Sequence, residues 1–251
     1  MIELKSEREI KMMHEAGQIL ASCHKEIGKI IKPGITTSEI DKFVEDYLAK
    51  RNARPEQKGY KGYPYATCAS VNNEICHGFP NSKPLKDGDI VTIDFVVNLK
   101  GALADSAWTH SVGNISNETK RLLKTTKESL YKGIEQAHVG NRLGDIGYAI
   151  QTYVESEGFS IVRDFTGHGI GRIIHEKPAV LHYGKPGKGL RLQEGMVITI
   201  EPMVNVGAWQ CKLDRNGWTA KTVDGKLSAQ YEHTIAITHD GPLILTEQKL
   251  S

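Results

Sequence analysis

The sequence predicts an α+β fold in which helices cover one face of a curved antiparallel sheet. Three observations carry that prediction. Two helical stretches precede a run of strand-like segments, and the same order repeats in the second part of the chain. The strand-like segments alternate in polarity with a period of two, as half-buried strands do. No Pro- or Ser-rich linker divides the repeats, so one domain is expected over residues 1–251, in two halves of roughly 1–115 and 116–251.

The first helix opens at Ser6, with Glu9 three residues on as a capping box. Its apolar stripe is Ile10, Met13, Ala16, Leu20 and Ile27, and Pro33-Gly34 ends it. Thr36 with Glu39 opens a second helix through Ile40, Phe43, Val44 and Leu48. Residues 52–64 are polar and turn-rich and read as an exposed loop. Strand-like segments follow at 65–71 and 74–78. A hairpin then spans 89–99 and 102–112, with its turn near Lys100-Gly101. On its first arm Val91, Ile93, Phe95 and Val97 share one face, and Asp94 shares the other with Ile90, Thr92 and Val96. One face is therefore core, and the other is free for chemistry. A long helix is expected over 117–138, broken by Gly140, and another over 143–157. Strands return at 160–163, 195–206, 218–223 and 230–238.

Composition excludes several classes of function. Net charge is +2, from 32 basic and 30 acidic residues, and no basic patch carries interleaved aromatics, so no nucleic acid partner is expected. The cysteines at 23, 68, 76 and 211 form neither C-x-x-C nor a zinc-ribbon spacing. The N-terminus is charged from its third residue, and no apolar run is long enough to span a bilayer. A reduced, cytoplasmic protein without a membrane partner is the expectation, and a monomer in the absence of an oligomerisation motif.

Five polar residues stand on predicted strands or glycine-lined turns: Asp94, Asp105, His168, Glu201 and Glu232. Counting along the hairpin sets Asp94 and Asp105 facing each other. Like charges directly opposed destabilise a sheet. A divalent cation between them removes the conflict and lowers both pKa values. Carboxylates can bridge two cations, and an oxygen-rich set with one histidine suits Mn, Co, Fe or Zn. Pro202 directly after Glu201 suggests an edge or bulge that re-aims a side chain. His168 sits in TGHGIGR, whose glycines would let the backbone run close to a ligand or substrate. That spacing is not a dinucleotide fingerprint, and His175-Glu176 does not begin a zincin motif. Each member also has a plainer reading, because a lone carboxylate on a strand is ordinarily solvated and a lone histidine ordinarily a satisfied one.

At these residues the chain resembles the methionine aminopeptidases, type I, in their short bacterial form. The resemblance covers almost the whole chain and rests on KPGITTSEID, GYKGYP, SVNNEICHGFP, DGDIVTIDF, TGHGIGRIIHEKP, TIEPMV and SAQYEHTIAIT. It implies the pseudo-twofold pita-bread fold and removal of the initiator methionine from nascent polypeptides whose second residue is small. It implies two divalent metal ions held by Asp94, Asp105, His168, Glu201 and Glu232, with Glu201 also the general base. His77 and His175 match the family's substrate-facing histidines, His175 toward the scissile carbonyl and His77 toward the amide nitrogen. Tyr60, Tyr63, Cys68 and Trp218 fall on positions of its methionine pocket. Ile174 stands there too, where many members carry Phe; Gln57 stands where some carry Cys, and ADSAWTH replaces the commoner GDT-type segment around Asp105. Two other readings of the same fold stand beside this one: an Xaa-Pro-type aminopeptidase and a non-catalytic peptide-binding relative.

Overall fold

The computed structural model describes residues 2–248. The chain opens with helices α1 (Glu7–Ile30) and α2 (Thr37–Ala49). Both expected capping boxes form: the hydroxyls of Ser6 and Thr36 accept the amides of Glu9 and Glu39, whose carboxylates in turn accept the cap N–H groups. The following segment differs from the exposed loop expected over 52–64. It contains strand β1 (Arg54–Pro55) and a single 3-10 turn at Tyr60–Gly62, and Ala53, Gln57 and Tyr63 are buried. Its polar composition hid three side chains that each have a specific partner or pocket below them.

Strands β2 (Cys68–Val71), β3 (Glu74–Cys76), β4 (Ile90–Leu99) and β5 (Ala102–Ser111) complete the first half. β4 pairs with β5 along its full length on one edge, while β1 and β2 share the other edge. The face reading of β4 holds: Val91, Ile93, Phe95 and Val97 pack into a core with Leu20, Ile27, Ile40 and Val44 of the two helices. The register reading does not. Lys100 and Gly101 both have positive φ, 54° and 91°, as a two-residue primed turn requires. The turn is therefore centred between them, Asp94 lies opposite Ala107, and Asp105 lies opposite Val96. The two aspartates share a face but are diagonal neighbours.

The second half repeats the plan. Helices α3 (Asn117–Ile134) and α4 (Leu143–Ser156) pack so closely that a Cβ on Gly133 would meet Ile150 Cδ1 at 2.6 Å. α3 ends before the expected 138 because tight turns from Gly133 and Ile134 replace its last helical bonds. Nine short strands follow: β6 (Ser160–Ile161), β7 (Gly167–Gly169), β8 (Glu176–Val180), β9 (Val197–Ile200), β10 (Met203–Asn205), β11 (Cys211–Leu213), β12 (Ala220–Thr222), β13 (Ser228–Gln230) and β14 (His233–Thr238), before β15 (Gly241–Ile244). The strands expected at 195–206 and 230–238 are each interrupted, at Glu201-Pro202 and at Tyr231-Glu232. Ile198, Ile200, Val204, Ile235 and Ile237 form the core with Leu122, Leu130, Ile146 and Ile150 of the helices. A smaller cluster including Val96, Leu103, Val197 and Ala236 joins the two halves. No described helix is long and apolar enough to cross a membrane.

Candidate metal centre and its pocket

The four carboxylates come from two strand pairs, one in each half. In the second half, β9 pairs with β14 through Ile200↔His233, and β10 with β13 through Met203↔Gln230. Both ladders keep one register, so across the interruption Glu201 stands opposite Glu232 and Pro202 opposite Tyr231. Pro202 has no N–H to give the ladder, and opposed carboxylates repel, so the strands part where they meet. The freed amides find other acceptors. Glu201 N–H donates to Nε2 of the buried His182 at 3.0 Å, and Glu232 N–H donates to the Ala107 carbonyl at 2.9 Å.

That second bond belongs to a seam between the halves. Asp105 N–H donates to Thr234 Oγ1 at 2.9 Å, and the Thr234 hydroxyl donates to the Asp105 carbonyl at 2.8 Å. Ser106 Oγ donates to the Glu232 carbonyl at 2.8 Å. Thr109 Oγ1 donates to the Gln230 carbonyl at 2.7 Å and accepts its amide at 3.0 Å. β5 and the β13–β14 segment thus run antiparallel, with hydroxyls in place of half the peptide groups. ADSAWTH and SAQYEHT supply the small and hydroxyl residues that this closeness needs.

Asp105, His168 and Glu232 each offer a ligand atom within 4.8 Å of the others. His168 Nε2 is 3.7 Å from Asp105 Oδ2 and 3.7 Å from Glu201 Oε1. Its Nδ1 lies 3.0 Å from the Gly169 carbonyl, which can only accept. Nδ1 therefore carries the proton, and Nε2 turns a lone pair toward the carboxylates. A bulge in the β7–β8 pairing between His168 and Gly169 aims the ring. Thr199 links two members, accepting the His168 amide at 3.0 Å and donating to Glu201 Oε1 at 2.9 Å. Gln230 Nε2 reaches Glu201 Oε2 at 3.3 Å. Asp94 lines the same cavity.

The electrostatics of the cluster fit a cation. Among the described residues, Asp105 Oδ1 and Glu232 Oε1 are buried and find no hydrogen-bond partner. Burial pushes the Asp94 carboxyl up to about 7. Burial and then neighbouring carboxylates raise Asp105, Glu201 and Glu232 well above the ordinary range. Burial and then His175 bring His168 down to about 4, so it is neutral, as a ligand must be. Positive charge placed among these groups inverts the carboxylate shifts. The donors are oxygen with one imidazole, which suits a hard or borderline divalent ion.

The cavity holds about 340 Å³. Tyr63 forms part of its wall, its hydroxyl 3.0 Å from the carbonyls of Thr67 and Gly78 and its ring edge-on to Trp218 at 5.1 Å. Cys68 and Ile174 are buried beside it. His77 has φ 56°, a conformation that a non-glycine residue seldom holds without a reason. It packs edge-on against Phe165 at 5.6 Å and Trp218 at 6.4 Å. His175 is exposed at the mouth, 4.3 Å ring to ring from His168. Tyr60 lies apart from the other pocket aromatics: its hydroxyl meets His175 Nδ1 at 3.0 Å. Burial lowers the pKa of both His77 and His175, His77 to about 4.

Several residues escaped the sequence reading. Thr199 and Gln230 stand two positions before Glu201 and Glu232, on the same strand face, so the period-two rule could have found them. Phe165 and Met203 line the cavity without any motif of their own, and His182 carried no signal in LHYG. Gln57 fills the gap between β1 and β2 on the edge of β4. Its amide donates to the Asp94 carbonyl at 3.1 Å and accepts the Val96 amide at 2.6 Å, as one more peptide unit would. The glycines around His168 serve packing rather than a ligand. A Cβ on Gly167 would meet the Thr199 carbonyl at 2.4 Å, one on Gly169 the Lys177 carbonyl at 2.3 Å, and one on Gly171 the Lys5 side chain at 2.3 Å.

The profile of Metallopeptidase family M24 matches residues 11–239. Methionine aminopeptidase 1 of Bacillus subtilis is 53% identical over 246 residues, spanning 98% of this chain and 99% of that protein. The crystal structure of methionine aminopeptidase from Rickettsia prowazekii superposes with TM-score 0.97 at 45% identity, covering 98% of this chain and 100% of that one. The prolidase from Pyrococcus horikoshii superposes with TM-score 0.79 at 25% identity, covering 98% of this chain and 64% of that one. These neighbours share the pita-bread architecture.

Proposed function

The chain belongs to metallopeptidase family M24, among its bacterial methionine aminopeptidases, and on that premise we propose how its residues divide the work of removing an N-terminal methionine. The observation that carries the reading is the meeting of Asp105, His168 and Glu232 within 4.8 Å at one end of an aromatic and sulfur-lined cavity. Asp94, Asp105, His168, Glu201 and Glu232 would hold two divalent ions of the Mn, Co, Fe or Zn group. When bound, the ions acidify water and polarise the scissile carbonyl.

Glu201 takes a proton from the attacking water. Thr199 and Gln230 each donate to one of its oxygens, so the carboxylate is aimed before substrate arrives. His175 donates to the scissile carbonyl oxygen as negative charge gathers there, its ring held through Nδ1 by the Tyr60 hydroxyl. His77 stands on the amide-nitrogen side, where it serves the departing amine. Tyr63, Cys68, Ile174 and Trp218 receive the methionine side chain, whose soft thioether packs well on such surfaces. Nascent polypeptide N-termini with a small second residue are the substrates. We further read the chain as one catalytic domain of two halves, monomeric and cytoplasmic, in keeping with its four free cysteines.

Chelated protein reconstituted anaerobically with each metal in turn tests this. Release of free Met from Met-Ala peptides, with Leu-Ala and Ala-Pro peptides left intact, is expected. Preferred cleavage before proline would make it an Xaa-Pro-type enzyme, and binding of Met-Ala peptides without cleavage a binding protein.

A further inference from the structure

Lys5 precedes α1, yet it is only 6% exposed, an uncommon place for a lysine. Its ammonium lies 2.7 Å from Glu176 Oε2 and 3.6 Å from Glu3 Oε2. Glu176 directly follows His175. Its second oxygen, Oε1, accepts the backbone N–H of Arg172 at 2.8 Å, so the carboxylate that follows the loop at 170–175 also binds within it. Lys5 is itself tied to the body, its amide donating to the Gly195 carbonyl at 2.7 Å. Gly171 packs against the lysine stem, and a Cβ there would meet Lys5 Cε at 2.3 Å and Glu176 Oε1 at 2.7 Å.

Ile170 and Ile174 are buried in the small apolar cluster and the Tyr60 hydroxyl meets His175 Nδ1 at 3.0 Å, but the stretch between the two isoleucines has few other backbone bonds. Gly171 N–H reaches the Ile173 carbonyl at 3.3 Å, and Ile170 N–H the Val197 carbonyl at 3.2 Å. The pair between Arg172 and Glu3 is exposed, and such pairs contribute little. A buried ion pair is also a poor source of net stability, because an apolar pair of the same volume serves as well or better. What Lys5 and Glu176 supply is geometry: a satisfied buried network that fixes one arrangement.

We propose that Lys5 is a positioning residue for the reaction: through Glu176 it holds the loop at 170–175 against the body of the protein and so sets where Ile174 and His175 stand. This rests on reading those two residues as substrate-facing. Lys5 touches neither substrate nor metal.

Lys5→Met and Lys5→Met/Glu176→Met are compared with the wild type for methionine release from a Met-Ala peptide, for Mn binding by calorimetry and for melting temperature. In Lys5→Met, kcat is expected to fall ten- to a hundredfold, roughly what a displaced catalytic group costs, while Mn affinity stays near the wild type. The double variant removes the stranded carboxylate and is expected to regain melting temperature without regaining kcat. Recovery of both, or an unchanged kcat in folded Lys5→Met, overturns the proposal. Glu176→Gln is the milder probe if Lys5→Met does not fold, and the same loss of kcat is expected of it. Hydrogen exchange over 170–176 in the metal-free proteins separates the two readings. Faster exchange in the variants supports the clamp even if the wild type releases no methionine, and unchanged exchange overturns the clamp whatever the wild type does.

Discussion

The two halves each bring a pair of carboxylates on antiparallel strands, and they hold them differently. Asp94 and Asp105 are diagonal, and the ladder between β4 and β5 runs unbroken from Ile90↔Ser111 to Leu99↔Ala102. Glu201 and Glu232 are directly opposed, and the ladder parts between Ile200↔His233 and Met203↔Gln230. A sheet tolerates like charges two residues out of register and opens where they face each other. The opening has a use. It frees the Glu232 amide to bond Ala107 in the other half, and both pairs line one cavity.

The largest effect should come from the broken side. Glu201→Ala removes the proposed base and a proposed ligand at once, and kcat for methionine release should fall by about a thousandfold or more. Near-normal turnover would remove Glu201 from the chemistry.

The next concerns what holds like charges together. The Asp94 carboxyl is raised from 3.8 to about 7, so between those values the metal-free folded protein keeps a proton that the unfolded chain has lost. That group favours the fold below the window and loses the contribution as pH rises through it. His24, His182 and His233, brought down by burial from 6.5 to about 3, have the opposite sign: their stability is present above 6.5 and lost as pH falls. Metal removes only the first effect. The rise in melting temperature on adding Mn should therefore widen as pH goes from about 4 to 7. A rise independent of pH would mean that the carboxylates are not the binding groups.

Two smaller changes probe each side's backbone. Thr234→Val leaves the Asp105 amide and carbonyl without partners across the seam and should cost about 1–3 kcal/mol in urea unfolding. Gln57→Met does the same to the Asp94 carbonyl and Val96 amide at the outer edge, where one of the two bonds is only partly buried, so about 1 kcal/mol is expected. A larger loss at Gln57 than at Thr234 would reverse this ranking of the two sides. Smallest is Ile174→Phe, which should shift the ratio of kcat/KM for Met-Ala over Leu-Ala peptides by only a few-fold, as one hydrophobic contact does.

The aspartate hairpin was the more legible half. Alternation along IVTIDFVVNL gives the correct faces, and the turn falls at Lys100-Gly101 as read; only counting the register about a centre one residue too early made diagonal aspartates look opposed. The glutamate strands were harder, because Pro202 announces a disturbance in one strand while nothing in QYEH announces the matching one. His168 reads as a residue on a turn because its glycines suggest one. Their reason is three-dimensional: the carbonyls of Thr199 and Lys177 leave no room for a Cβ. His182, Lys5 and Gln57 act through backbone groups distant in sequence, and no local pattern marks such a role.

The central claim is that buried, mutually repelling carboxylates form one site that a divalent ion completes. Calorimetric titration of the metal-free protein with Mn at neutral pH, in two buffers of different ionisation enthalpy, tests it most directly. Saturable binding with net release of protons is predicted, and methionine release should begin only as the ion binds. Absence of saturable binding, or full methionine release in the presence of a chelator, would contradict it.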